Sequence, residues 1–397
     1  MNLKKQLACI YTNNFFSGLR ITDAVWVALL AARGFSLWEI GLAESVFHVV
    51  SLLCEVPSGM AADLLGRRKT LLSGGVLTVT CNLLMAFAPN LFTICLAMGL
   101  NALAMTMFSG TFTALVYDSL KTEGREDEYI QVSANSSQIS MLANAVGSLA
   151  SLLKRFLGFA GFYLLSAAFE GVSTAALALM EEPIVTKAQA SRGRQTLRAL
   201  PGQFTKLARN SLSILRTTPL AAKLIVSSAV VSVPSYLTKM FLQQRLIELG
   251  WPTELLFLPL LLGGAACVLG AEVGRRVRFR SMRRFYSVCA LLCGVGTLLV
   301  GLAPAWGGLF GMMLVQGTLE VYLLHERQKL NDAIPSDQRA TLISVDSMAY
   351  SLLMIPASPL VGALGDAFGQ AGAGLAALGA AILASGLAAG LFASNKP

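Results

Sequence analysis

The feature that most constrains this chain is a repeated length. Apolar runs of about twenty residues, the span an α-helix needs to cross a hydrocarbon core, follow one another along nearly all of it. In lipid every backbone N–H and C=O must be satisfied inside the spanning structure, so only helices and closed barrels cross. Barrel strands are about half this long, which selects the helical bundle. Composition agrees: 55% of the 397 residues are hydrophobic and 13% are charged, where soluble domains carry about 25% charged residues.

Twelve spans are read, at 8–32, 38–60, 71–88, 91–117, 131–153 and 157–180, then 221–243, 254–272, 285–303, 306–326, 341–364 and 371–393. The expected fold is all-α and integral to the membrane, with twelve helices in two pseudo-symmetric six-helix halves. Residues 1–183 form the first half and 221–397 the second. Residues 184–220 form a basic cytoplasmic linker, read either as an amphipathic helix on the anionic leaflet or as a solvated connection. Met1 to Gln6 is polar and basic, and the first apolar run is long enough to span rather than to be a cleaved signal. Ser36-Leu37-Trp38-Glu39 has the spacing of a capping box at the start of the second span. Pro89, Pro183, Pro252, Pro304 and Pro335 are expected in loops.

The net charge of +9 does not call for nucleic acid. Cytoplasmic loops of membrane proteins carry an excess of Lys and Arg. With both termini cytoplasmic, most of the 31 bases fall on that side and only Arg33, Lys154, Arg155 and Arg245 on the other. The seven cysteines lie mostly within apolar runs and imply no disulfide framework. No set of residues has metal-ligand spacing, no P-loop occurs, and no nucleophile–base pair is visible. The chain is therefore read as neither an enzyme nor a cofactor protein, with no catalytic residues.

Between the second and third spans lies Gly59-Met60-Ala61-Ala62-Asp63-Leu64-Leu65-Gly66-Arg67-Arg68-Lys69. This G-x-x-x-D-x-x-G-R-R-K spacing resembles the signature loop of the major facilitator superfamily of transporters. The longer pattern Glu55-x-Pro57 through Asp63 to Arg67 resembles a drug-exporter branch that includes clostridial-type tetracycline efflux pumps. The resemblance implies a gating lock between the halves. In it Asp63 faces the dipole of span 11, Arg67 pairs with Asp118 at the end of span 4, and Gly59 and Gly66 give the loop its shape. Two departures leave the direction of transport open: span 4 reads Leu96-Ala97-Met98-Gly99 with no arginine, and span 5 reads Gly147-Ser148-Leu149-Ala150 with no proline.

The halves echo each other weakly. Asp63-Leu-Leu-Gly66-Arg67-Arg68 resembles Glu272-Val-Gly274-Arg275-Arg276, and Ser133-Ala-Asn135-Ser136 resembles Ser344-Val-Asp346-Ser347. Offsets near half the chain fit a parallel duplication.

Ionisable groups inside spans are costly and mark function by default. Glu44, His48 and Glu55 share one face of span 2. His48 lies about 18 Å beyond Ser36 at 1.5 Å per residue, near mid-membrane. This face reads as a proton route. The alternative is a Glu44–His48 hydrogen bond that satisfies two buried groups, with Glu55 bracing a gate. Arg20, Asp23, Asn101, Asn135, Glu170, Gln316, Glu320 and Asp346 are candidates for the lining of a substrate cavity. Arg20 and Asp23, three apart, can pair across one turn. The expected task is proton-driven export of amphiphilic drugs by alternating access from a bacterial cytoplasmic membrane. The alternative is a proton-coupled carrier for a metabolite such as a sugar or organic ion. The expected partners are a small-molecule substrate, protons and the lipid bilayer, with no nucleic acid, and the chain is read as a monomer.

Overall fold

The computed structural model describes residues 2–183, 218–332 and 339–394, and these form helices joined by short turns and loops, with no strand among them. The helices are α1 (Leu3–Gly18), α2 (Trp26–Ala32), α3 (Leu37–Leu65), α4 (Arg67–Phe87), α5 (Leu91–Phe108), α6 (Thr111–Thr122), α7 (Tyr129–Ser148) and α8 (Lys154–Leu179). After the linker come α9 (Pro219–Glu248), α10 (Phe257–Arg276), α11 (Met282–Leu302), α12 (Ala305–Asp332), α13 (Arg339–Ala367) and α14 (Ala371–Ser394). The linker read at 184–220 lies outside the described residues except for 218–220, as does Pro335.

Among the described residues, ten stretches are long and apolar enough to cross a membrane. The first and fifth expected spans are the two not among them. The run 8–32 is not one helix: α1 stops at Gly18, residues 19–25 form turns, and α2 has only seven residues. The run 131–153 carries the amides and hydroxyls of α7 and ends in a 3₁₀ segment, Leu149–Leu153. The fourth run is also interrupted, at Ser109-Gly110, where Gly110 has φ +69°. The structure is thus all-helical and multi-pass, but less regular than twelve even spans.

Contacts divide the chain into a unit of residues 1–23 and 46–207 and a unit of residues 24–45 and 208–397. In the first, Ile10, Leu71, Leu115, Leu120 and Leu177 form a buried cluster from α1, α4, α6 and α8. In the second, Val231, Phe285, Cys293, Val315, Tyr322 and Ile382 join α9, α11, α12 and α14. Lipid tails are as apolar as leucine, so close approach of small residues is what holds such helices together. Along α11 and α14 a Cβ on Gly294 would strike Leu383, and one on Gly379 would strike Leu298.

Helix starts are satisfied with care. The Ser36–Glu39 box forms as read: Glu39 N–H donates to Ser36 Oγ (3.2 Å) and Ser36 N–H donates to Glu39 Oε2 (2.8 Å). Asp366, from the end of α13, accepts from the amides of Leu37 (2.9 Å) and Trp38 (2.8 Å) within the same unit. Glu248 likewise accepts from Ala371 N–H at the start of α14. These bonds supply partners to orphan donors that would otherwise be costly in a nonpolar setting.

Candidate functional site

The turn between α3 and α4 is built on Gly66. Its φ of +99° is open only to glycine, and a Cβ there would press on the Glu182 carboxylate. As N-cap of α4, Gly66 has no side chain to offer. Glu182, just past α8, takes that role: Oε1 accepts from Arg67 N–H (2.8 Å) and Oε2 from Arg68 N–H (2.7 Å). A carboxylate at a helix N-terminus also gains from the dipole. The Arg67 guanidinium turns to α6, where it pairs with Asp118 and donates to the carbonyl of Ala114. Both side chains are largely buried, at 16% and 10% exposed. Arg68 donates to the carbonyl of Ala178 on α8. One two-residue step thus ties the start of α4 to α6 and α8. Gly59 is exposed on α3, and the side chain of Asp63 lies outside the described residues.

The second assembly of the first unit lies at the break after α1. Arg20 and Asp23 fall in the non-helical stretch, not on a helical turn as their spacing suggested, and their charged atoms lie 4.0 Å apart with about half of each side chain exposed. Local turns hold the backbone: Arg20 N–H donates to Gly18 O and Asp23 N–H to Arg20 O. The stretch packs closely on α7, since a Cβ on Gly147 would meet the backbone of Leu19 and Arg20. Glu170 on α8 is half-buried and within electrostatic reach of Arg20. Irregular backbone at membrane depth survives only where protein buries it or a cavity hydrates it, and such breaks often hold binding sites. Around this break, Asn13 donates to Ser173 Oγ (2.6 Å) and Asn135 to Tyr11 OH (3.5 Å). Asn101 is half-buried on α5.

On α3, Glu44 and His48 are both buried, at 1% and 4% exposed. His48 meets the Phe47 ring edge to face, the centroids being 5.4 Å apart. Glu44 belongs to the second unit, where Tyr350 of α13 is within its electrostatic reach. Glu55 is half-buried and accepts from Ser109 Oγ at 3.5 Å.

In the second unit Gln316 is buried, and its amide is bonded at both ends to Ser235: Ser235 Oγ donates to Oε1 (2.9 Å) and Nε2 donates to Ser235 O (3.0 Å). It braces α12 against α9. Glu320 and Lys239 both lie within electrostatic reach of Cys267 on α10. Asp346 is half-buried, is hydrogen-bonded to Ser228, and keeps one oxygen, Oδ1, without a hydrogen bond. Facing it is Glu326, 1% exposed, with Oε1 likewise unbonded. Glu326 is not among the sequence candidates, because the span read at 306–326 ends on it and sets it at the edge of the membrane. The helix in fact continues to Asp332. Glu182 and Asp366 were missed for a related reason. Each acts as a cap for a helix more than 100 positions away in the chain, and no local pattern signals that.

A family model described as the Major Facilitator Superfamily matches residues 12–324, well over half of the chain. The chain belongs to the Major Facilitator Superfamily. It is similar to an uncharacterized MFS-type transporter, YxaM, of Bacillus subtilis (strain 168), at 26% identity over 141 residues. That match covers 34% of this chain and 34% of that protein, about a third of the relative's length. Among solved structures it resembles the nucleoside transporter NupG, with TM-score 0.71, 12% identity, and 98% of each chain covered. It also resembles an auto-inhibited POT family peptide transporter, with TM-score 0.70, 14% identity, and 99% and 97% covered. At such identities the likeness is one of fold. The fold and the superfamily are those of multi-pass secondary transporters rather than enzymes, and the Arg67 turn falls within the matched region.

Proposed function

We propose that this protein is a twelve-span, proton-driven transporter that exports amphiphilic small molecules from a bacterial cytoplasm by alternating access. In this reading it works as a monomer in the cytoplasmic membrane, with both termini cytoplasmic and no cofactor. The observation that carries the reading is the break between α1 and α2. It sets a base and an acid, Arg20 and Asp23, half exposed in an otherwise apolar run, with Glu170 in reach. A polar gap of that kind offers a charged part of a cargo a partner at membrane depth. The Arg67–Asp118 pair, with Glu182 and with Asp63 as its expected fourth member, is the proposed gating lock. Glu44, His48 and Glu55 of α3 are the proposed coupling groups, and the Glu326–Asp346 pair is a second place where a proton can be held.

The test is dye efflux from an overexpressing strain, with and without a protonophore. Faster efflux that the protonophore abolishes supports the reading; dye handling identical to the empty strain rejects it. Glu55→Gln is expected to lose uphill transport and to keep downhill exchange. The proton-coupled metabolite carrier is the second reading. The Arg20–Asp23 pair is compatible with it as well, because two half-exposed opposite charges also suit a small organic ion. Loss of growth on one nutrient after deletion, with dye efflux unchanged, would select it.

A further inference from the structure

Helices α10, α11 and α12 leave between them a groove of about 720 Å³. Its floor is close backbone packing, since a Cβ on Gly270 would strike the backbone of Gly317. Its walls are Leu269, Val273, Val288, Leu292 and Phe310, all between 41% and 62% exposed. At one end the groove opens between Arg278, Arg280 and Arg284.

Three features define what fits. The first is charge. Glu272, the acid that precedes these arginines on α10, is already paired with Arg275 and Arg276. Among the described residues, none of the three arginines at the mouth has an ion pair. The second is geometry. Phe279 stacks on Phe285 with centroids 4.3 Å apart and meets His325 edge-on. That anchor fixes the arginines on either side of it at the mouth. The first turn of α11 also opens there, and its N-cap, Ser281, makes no side-chain capping bond. The third is depth. Lining residues run from Ala266 on α10 to Val277, the residue just past its end, about 17 Å at 1.5 Å per residue. That is roughly half of a ~30 Å hydrocarbon core, the thickness of one leaflet.

We propose that this groove binds one acyl chain of an anionic phospholipid, with Arg278, Arg280 and Arg284 holding the headgroup phosphate. Guanidinium forks match phosphate oxygens in pairs, and basic pockets between membrane helices are suited to anionic headgroups. A cationic amphiphile is repelled by the same three charges, and a zwitterionic lipid brings its own cation up to the phosphate, in competition with the arginines and repelled by them. The site is separate from the α1–α2 break and does not depend on the transport reading.

The test uses the purified full chain in detergent, titrated with dioleoyl phosphatidylglycerol, dioleoyl phosphatidylcholine or glycerol 3-phosphate. Bound lipid is counted by native mass spectrometry and the unfolding midpoint is followed in parallel. Wild type is expected to bind phosphatidylglycerol in preference to phosphatidylcholine and to gain little from glycerol 3-phosphate. The triple variant Arg278→Ala, Arg280→Ala, Arg284→Ala should weaken phosphatidylglycerol binding by roughly fivefold per arginine. Val288→Trp, which fills the groove and leaves every charge, should weaken it too, and decides the matter alone if the triple variant fails to fold. The double variant Arg275→Ala, Arg276→Ala removes nearby charge outside the groove and should keep the wild-type preference. The proposal is overturned by equal binding of the two lipids, by equal protection from glycerol 3-phosphate, or by a lipid-free dimer that covers the groove. It is also overturned if Val288→Trp binds like wild type, or if the double variant loses as much as the triple.

Discussion

Arg67-Arg68 and Arg275-Arg276 occupy matching places in a weak internal repeat, each just after a glycine and an acid, yet the structure treats them in opposite ways. Arg67 is 16% exposed and meets Asp118 of another helix, while its amide and that of Arg68 are held by Glu182. Arg275 and Arg276 are 73% and 79% exposed, and their partner is Glu272, three and four residues back on the same helix. The first pair joins three helices. The second decorates the end of one. Charges taken out of solvent are strongly coupled to their partners, whereas exposed pairs on one helix are screened and entropically costly to hold. A shared motif therefore does not imply a shared energetic role.

This contrast can be broken or sharpened by substitution, with thermal unfolding in detergent as the common readout. Arg67→Ala should have the largest effect, about 3–5 kcal/mol, because it removes the cation paired with the largely buried Asp118. Gly66→Ala should follow at about 1–3 kcal/mol, since only glycine rests easily at that φ. Glu182→Gln keeps an acceptor but removes the charge at the start of α4, and should lose about 1 kcal/mol. Arg275→Ala should lie at the bottom of the series, between about 0 and 1 kcal/mol. A loss for Arg275→Ala as large as that for Arg67→Ala would erase the distinction between the halves.

Some of this was legible in the sequence and some was not. The length of the apolar runs carried the helical membrane class. The Ser36–Glu39 box formed as its spacing implied, because capping is local chemistry over four residues. The Arg67–Asp118 pair came from the family resemblance rather than from any property of the two residues alone. The break at 19–25 was not legible, because Leu19, Ile21 and Ala24 continue an apolar pattern that a helix could have used. What holds the break is packing of Gly147 against Leu19 and Arg20, a contact more than 120 positions distant. Glu182 and Asp366 read as ordinary loop acids until the folded chain brought them to the starts of α4 and α3. Glu326 was hidden by a boundary placed several residues early, beside the exposed Arg327 and Lys329.

The most direct test of the account is uphill transport by reconstituted variants. Proteoliposomes holding wild type, Arg67→Ala or Arg275→Ala are given the same imposed pH gradient, and uptake of an amphiphilic dye is followed, with insertion checked by protein content. The account predicts that wild type and Arg275→Ala concentrate the dye and that Arg67→Ala, although inserted, does not. Concentration of the dye by Arg67→Ala at the wild-type rate would contradict it.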